Sequence, residues 1–405
     1  MPTINPVNDD PQPRLATARG SSASISILAV AAFVIVTTEF LIVGLLPALA
    51  RDLAISVATA GQLVTLFAVV VIVAGPFLTA WLAHVDRKRL FIGILVLFAF
   101  SNGLAAVAPN PWVLAVARLL PALALPVFWG TASETAAQIA GPGKGGRAVS
   151  RVYLGISAAM LFGIPLGTLA SDAIGWRGAF ALLAALSLAI ALLIYISMPA
   201  VRAPRPVAMA DQARILKSPF FVANVVLSVL IFTAMFAGYT YLAEMMETSA
   251  GIEPARVGWW LMGFGAVGLF GNWLGGLWVD KKPLATTAIF SVVLALGMVA
   301  TMAFASAGLW FAVALAVWGI ANTALYPICQ IRVMNAASGA QALAGTLNVS
   351  AANGGIALGA MIGGLGISAW GVGNIGYVSG VIAVFAALAT PLVATLSLAA
   401  RRTAH

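Results

Sequence analysis

The chain has 405 residues, of which 62% are hydrophobic and 8% charged, with a mean hydropathy of +1.04. A water-soluble globule carries roughly 25% charged residues, so this composition excludes one. The formal net charge of +9 suggests nucleic acid as a partner, but the basic residues sit mostly in breaks between long apolar stretches, which argues against it.

Residues 1–22 are polar, contain Pro and Asp, and read as a disordered cytoplasmic N-terminus. Twelve apolar stretches follow, at 23–50, 57–82, 89–108, 112–139, 149–172, 176–198, 219–247, 254–279, 284–306, 309–332, 341–369 and 373–399. Each is close to or above the roughly 20 residues that carry a helix across a bilayer core. The alternating pattern of barrel strands is absent. A bilayer offers backbone groups no partner except each other, so the stretches predict helices. The first is too long for a signal-peptide core and lacks a small-residue cleavage site. The polar segment 199–218, with Pro204, Pro206, Arg202 and Arg205, divides the spans six and six, leaving bundles at 23–198 and 219–399 and a tail at 400–405. All of the 21 Lys and Arg except Arg51, Arg118, Arg177 and Arg256 fall in one set of loops and tails, among them Arg332. This positive-inside bias predicts that both termini are cytoplasmic. It also suggests contact with anionic membrane lipid. The single cysteine, Cys329, forms no internal disulfide.

In the first span Glu39 lies roughly 16 Å from the outer end at 1.5 Å per residue, and in the fourth Arg118 lies roughly 9 Å deep. These depths are compatible with a pair. Burial favours a neutral carboxyl and a nearby guanidinium favours a charged one, so such a site can exchange protons near neutral pH. Glu39 then reads as a proton carrier with Arg118 as its electrostatic tuner, against a static ion pair that fixes helix packing. Glu134, near the inner end of the fourth span, reads as a latch for the basic loop Arg87-Lys-Arg89 or for Arg147 and Arg151, against a direct proton role. Gly163, Pro165 and Gly167 in the fifth span suit either tight packing or a gating hinge. Glu244 and Glu247, at the outer end of the seventh span, read as a solvated rim.

In the tenth span Trp318, Asn322, Tyr326 and Gln330 recur every four residues and share one helix face. In lipid that face turns inward, to line a cavity or to bond other helices. Trp129, Tyr239, Tyr241 and Asn353 are further candidates for the lining. Enzyme chemistry is poorly supported. The only histidines are His84 and His405. No clustered metal ligands, Ser/His pairing or phosphate-cradling Gly-Lys-Ser/Thr motif is present. No cofactor is implied.

The two halves echo each other. Thr79-Ala-Trp-Leu-Ala83 aligns with Gly276-Leu-Trp-Val-Asp280, and Ser157-Ala-Ala159 with its Gly163-Ile-Pro-Leu-Gly167 aligns with Ser350-Ala-Ala352 and Gly355-Ile-Ala-Leu-Gly359. Parallel six-span repeats place a binding site between the halves near the midplane.

Several motifs carry a resemblance: Thr38-Glu-Phe-Leu and Gly44-Leu-Leu-Pro47, Ala117-Arg118-Leu, Val127-Phe-Trp129, Gly163-Ile-Pro-Leu-Gly-Thr168, Gly175-Trp-Arg-Gly-Ala-Phe180, Gly238-Tyr-Thr-Tyr-Leu-Ala243 and Asn353-Gly-Gly-Ile-Ala-Leu-Gly359. As a set they resemble the major facilitator superfamily, its twelve-span drug:proton antiporters, and most closely the bacterial sugar-efflux branch. The resemblance implies an all-α membrane protein of twelve helices in two pseudo-symmetric six-helix bundles. It further implies a monomer in the inner membrane that exports a sugar, sugar-like compound or drug in exchange for protons. A proton-coupled importer or uniporter is the alternative within the fold, and a channel the alternative outside it. Gly163-x-Pro165-x-Gly167 resembles the antiporter signature and favours export. Gating roles are implied for Arg87 and, in the second-half copy of the loop motif, for Gly276 and Asp280. The chain departs from the pattern at Thr79, Ala83 and Asp86 in the first copy, at Leu125 where the branch often has His, and at Glu244 where it usually has Pro.

Overall fold

Pro111, Pro219, Pro254 and Pro283 each open a helix. There the ring's fixed φ suits the helix and the missing N–H leaves nothing unsatisfied. Side chains cap other starts. The Asp86 carboxylate accepts from the Arg89 amide at 3.1 Å, and the Ser218 hydroxyl accepts from the Phe221 amide at 3.3 Å. Threonines inside the spans turn their hydroxyls back to the carbonyl four residues earlier, as Thr37, Thr135 and Thr168 do. That keeps polar groups satisfied without water.

The computed structural model describes residues 18–82, 84–141, 145–201, 213–279, 281–337 and 341–402. Residues 1–17, most of the central linker and Asp280 lie outside the described residues. Among those described, the α-helices are α1 (Ala18–Asp52), α2 (Val57–Leu82), α3 (Arg87–Ala106), α4 (Pro111–Ala140), α5 (Gly145–Ala158), α6 (Ile164–Ser197), α7 (Pro219–Tyr239), α8 (Leu242–Thr248), α9 (Pro254–Val279), α10 (Pro283–Ala303), α11 (Leu309–Asn335), α12 (Gln341–Trp370) and α13 (Ile375–Arg402). A π-helical turn, Ala159–Gly163, joins α5 to α6.

Ten of the described helical runs are long and apolar enough to cross a membrane. One of them, Arg151–Ser197, reverses at Gly175, whose φ of 76° and ψ of 159° require a residue without a Cβ, so it crosses twice. Helix α9, with 26 residues, adds another crossing. The chain is thus an all-α membrane protein of twelve spans in two six-helix bundles.

Within the first bundle α1 packs on α5 and α6, α2 on α4, and α3 on α4 and α6. In the second, α7 packs on α12 and α13, and α11 on α9 and α10. The bundles meet where α2 runs against α12 and where α6 and the π turn run against α9. The seam lies toward the end that carries loops 53–56 and 249–253. Small residues make it close: a Cβ at Gly258 would strike Leu169 and the Pro165 carbonyl, and one at Gly265 the Met160 carbonyl. Two polar contacts reinforce it, from the Thr65 hydroxyl to the Ala357 carbonyl at 3.2 Å and from Arg51 to Glu247 at 2.6 Å. Toward the other end, that of loops 84–86 and 281–282, α2, α5 and α9 expose Phe77, Trp81, Leu154, Phe270 and Trp273.

Candidate functional site

Helix α1 enters the seam with its polar triplet Thr37, Thr38 and Glu39. Arg118 of α4 is 2% exposed and reaches across to this point. It donates Nη1–H to the Thr38 carbonyl at 2.6 Å and Nη2–H to the Glu39 carbonyl at 2.8 Å. Its guanidinium lies 4.5 Å from the centroid of the Phe67 ring. Asn102 of α3 donates to the Thr38 hydroxyl at 3.1 Å. Arg118 therefore holds the backbone of Glu39, and not its carboxylate, while remaining in electrostatic reach of that carboxylate. The predicted meeting of the two residues takes this form.

Across the seam, Tyr326 of α11 is in electrostatic reach of both Glu39 and Tyr239 of α7. Tyr239 stacks on Phe264 at 5.6 Å and meets Phe236 edge-on at 5.6 Å. Phe236 in turn lies 5.7 Å from Phe40 of α1. Phe232 meets Tyr326 edge-on at 5.1 Å. The result is a cluster of rings with two tyrosine hydroxyls that reaches α1 at Phe40, the residue after Glu39.

The α11 face carries a further signal. Trp318 Nε1, Asn322 Oδ1 and Tyr326 Oη are buried and have no hydrogen-bond partner among the described residues. The Asn353 Oδ1 on α12 is in the same state. An unpaired buried polar atom costs about 1–3 kcal/mol, so Asn322, Tyr326 and Asn353 are suited to a water or ligand partner, whereas the fully buried Trp318 ring is packed against Gly238 of α7 and Trp318 itself against Gly297 of α10. Gln330, one turn further, behaves differently and accepts from Asn348 at 2.7 Å.

Other candidates fall elsewhere. Trp129 packs on Tyr153 at 5.4 Å, inside the first bundle. Tyr241, grouped by sequence with the cavity, is fully buried in the seam and donates to the Ala360 carbonyl at 2.7 Å. A Cβ at Gly61 of α2 would collide with its ring, and one at Gly364 of α12 with its hydroxyl. Glu134 pairs with Arg87 at 3.1 Å, linking α4 to α3 within one bundle. Gly163 and Gly167 sit against Thr37 and Leu41, where a Cβ would clash, and Pro165 lends its carbonyl to the seam. Gly276 lies in the last turns of α9, and Asp280 is outside the described residues.

Two charged residues, Glu247 and Arg332, also differ from the sequence expectation. Glu247 was expected in a solvated rim, but its side chain is 13% exposed and bridges the bundles to Arg51. Arg332 was expected in a loop, but it lies inside α11 at 2% exposure. There it donates to the Asn224 carbonyl and side chain and to the Ser228 hydroxyl, which gives its charge polar neighbours in place of water. Sequence reasoning also passed over Phe40, Phe232, Phe236 and Phe264, because a Phe in an apolar span has no contrast with its neighbours.

The family model described as Major Facilitator Superfamily matches residues 28–349. The inner membrane transport protein YdhP of Escherichia coli (strain K12) is 34% identical over 342 residues, covering 84% of this chain and 88% of YdhP. A chloramphenicol efflux pump of Mycobacterium tuberculosis (strain ATCC 25618 / H37Rv) is 32% identical, covering 87% of this chain and 86% of the pump. A probable sugar efflux transporter of Helicobacter acinonychis (strain Sheeba) is 28% identical, covering 89% and 93%. Among solved structures, a bacterial homologue of the human lysosomal transporter Spinster, inward-facing and unoccupied, superposes with a TM-score of 0.82 at 15% identity, covering 95% of this chain and 98% of that one.

Proposed function

The chain belongs to the Major Facilitator Superfamily, and on that premise we propose that it exports a small organic molecule, a sugar, sugar-like compound or drug, by proton antiport through alternating access. The observation that carries this reading is the Glu39 carboxylate. It lies on α1 where Phe40, the next residue, meets Phe236 of the second bundle, and it receives no hydrogen bond among the described residues. An ionisable group at membrane depth marks a proton or substrate path, and a site between two parallel repeats can be exposed to either side in turn.

Glu39 takes a proton from outside and competes with substrate, and Arg118 tunes it by fixing its backbone and biasing its charge. Asn322, Tyr326 and Asn353 offer hydrogen bonds, and Tyr239 with the phenylalanines offers ring faces. This suits an uncharged or amphipathic ligand with a few polar groups. The protein acts as a monomer in the inner membrane with both termini in the cytoplasm. On that topology the joined end of the bundles faces outward, so the arrangement is closed to the outside.

Purified protein in proteoliposomes with an imposed pH gradient, in both directions, tests this reading against a panel of sugars and chloramphenicol-like compounds. Uphill movement of one compound against the proton flux is expected. Uphill movement with the proton flux would make the protein an importer, and gradient-independent equilibration of every substrate found would make it a uniporter.

A further inference from the structure

We propose that a groove between α2, α3 and α4, at the end of the molecule carrying Arg89, binds an anionic phospholipid, with one acyl chain in the groove and the phosphate on Arg89. The groove has a volume of about 380 Å³. Leu78 and Leu82 form one wall, Ile94 and Leu97 the other, and Leu123 and Val127 of α4 the floor. Gly93 widens it, since a Cβ there would meet nothing within 4 Å. Arg89 is the one charged residue of the lining.

The neighbouring charges are engaged. Arg87 pairs with Glu134 at 3.1 Å, and the Lys88 ammonium lies 5.6 Å from the centroid of the Tyr195 ring. The Asp86 carboxylate caps α3 through the Arg89 amide. The exposed Arg89 guanidinium has no hydrogen-bond or ion-pair partner among the described residues. An unpaired cation at the mouth of an apolar channel, in the first turn of a span, matches a molecule with a hydrocarbon tail and an anionic head. Basic pockets between spans bind anionic headgroups in this way. A free phosphate would satisfy Arg89 and leave the channel empty, and a zwitterionic lipid would fill the channel while offering Arg89 a compensated charge. A second groove provides an internal control. It lies between α9 and α11, has a volume of about 290 Å³, and is lined by Trp259, Trp260, Phe264 and Leu315 with no charged residue. It accepts lipid without headgroup preference.

The inference rests on the membrane placement of the helices and not on the transported substrate or the coupling ion, so its test reads no transport. Native mass spectrometry of the purified full chain, titrated with phosphatidylglycerol, phosphatidylcholine of the same chains, or glycerol phosphate, measures retention directly. The wild type should retain phosphatidylglycerol about fivefold better than phosphatidylcholine, the factor given by one basic side chain near the surface. Arg89→Ala should abolish the preference while both lipids still bind. Gly93→Leu, whose Cβ meets nothing within 4 Å and whose branch occupies the channel, should lower retention of both lipids. Lys282→Ala, at an exposed basic position in the other bundle, should behave as wild type, and glycerol phosphate should not be retained. Equal retention of the two lipids by the wild type would overturn the proposal. So would a preference that survives Arg89→Ala, which decides the matter alone if Gly93→Leu does not fold. Retention of glycerol phosphate would replace the lipid with a free anion.

Discussion

Asn322 is 3% exposed and its Oδ1 has no partner among the described residues. If a ligand fills that role, Asn322→Ala removes one hydrogen bond to substrate, about 0.5–1.5 kcal/mol, and should weaken substrate binding about twofold to tenfold. Folded protein should not fall, because the substitution deletes an unsatisfied group. Ala316, on another face of α11, is the control position for Ala316→Ser. Equal loss of folded protein at both would return the face to packing, with binding and size-exclusion profiles as the readout. Arg118 gives the contrasting case. It makes two charge-assisted bonds to α1, each worth about 1.5–3 kcal/mol. Arg118→Ala should therefore lower thermal stability in detergent as well as coupling, whereas a purely electrostatic tuner would leave the melting temperature unchanged. The sequence shows that Glu39 and Arg118 are exceptional, because a charge in an apolar span stands out. It does not show that Arg118 grips carbonyls and not the carboxylate, since the two partners lie within one residue of each other and depth alone cannot separate them. Nor does it show the pairing of Arg51 with Glu247. Those residues are 196 positions apart, and each by itself looks like an ordinary end-of-span charge.

At the scale of elements, the seam depends on glycines that admit one ring. Tyr241 stands at the break between α7 and α8 and lies between Gly61 of α2 and Gly363 and Gly364 of α12. Gly61→Ala puts a methyl into the Tyr241 ring and should prevent the bundles from closing at the end that carries loops 53–56 and 249–253. Spin labels on cysteines at Thr59 and Glu253, both exposed, should show a longer distance in Gly61→Ala than in the parent protein. An unchanged distribution would mean that the seam tolerates the methyl and that Tyr241 is no lock. Gly163 and Gly167 in the fifth span suit close packing or a hinge from sequence alone, but their partners, Thr37 and Leu41, depend on how the helices lean together. The fold itself is legible because its signals are local: uninterrupted apolar length marks each span, and the basic loops and the polar segment 199–218 mark the breaks. Gly175 is legible as well, sitting in the motif between the fifth and sixth spans where the backbone must reverse with positive φ.

At the scale of the whole molecule, two features of the proposal can be tested apart from the chemistry. Orientation follows from the basic loops. Cysteine at Gly251 should label from outside with an impermeant thiol reagent and cysteine at His84 should not. Cys329, the only native cysteine, is buried and adds no background. The opposite pattern would invert the topology. The central claim is that proton flux is coupled to substrate through Glu39. Glu39→Gln keeps the size and hydrogen-bonding capacity of the protonated acid but cannot release a proton. The most direct measurement is substrate flux in proteoliposomes with this variant, with and without a pH gradient. Downhill exchange should persist, with weak pH dependence, and uphill export driven by the gradient should be abolished. If Glu39→Gln still concentrates substrate against its gradient, Glu39 is structural and the coupling site lies elsewhere, with Glu134 the next carboxylate to test.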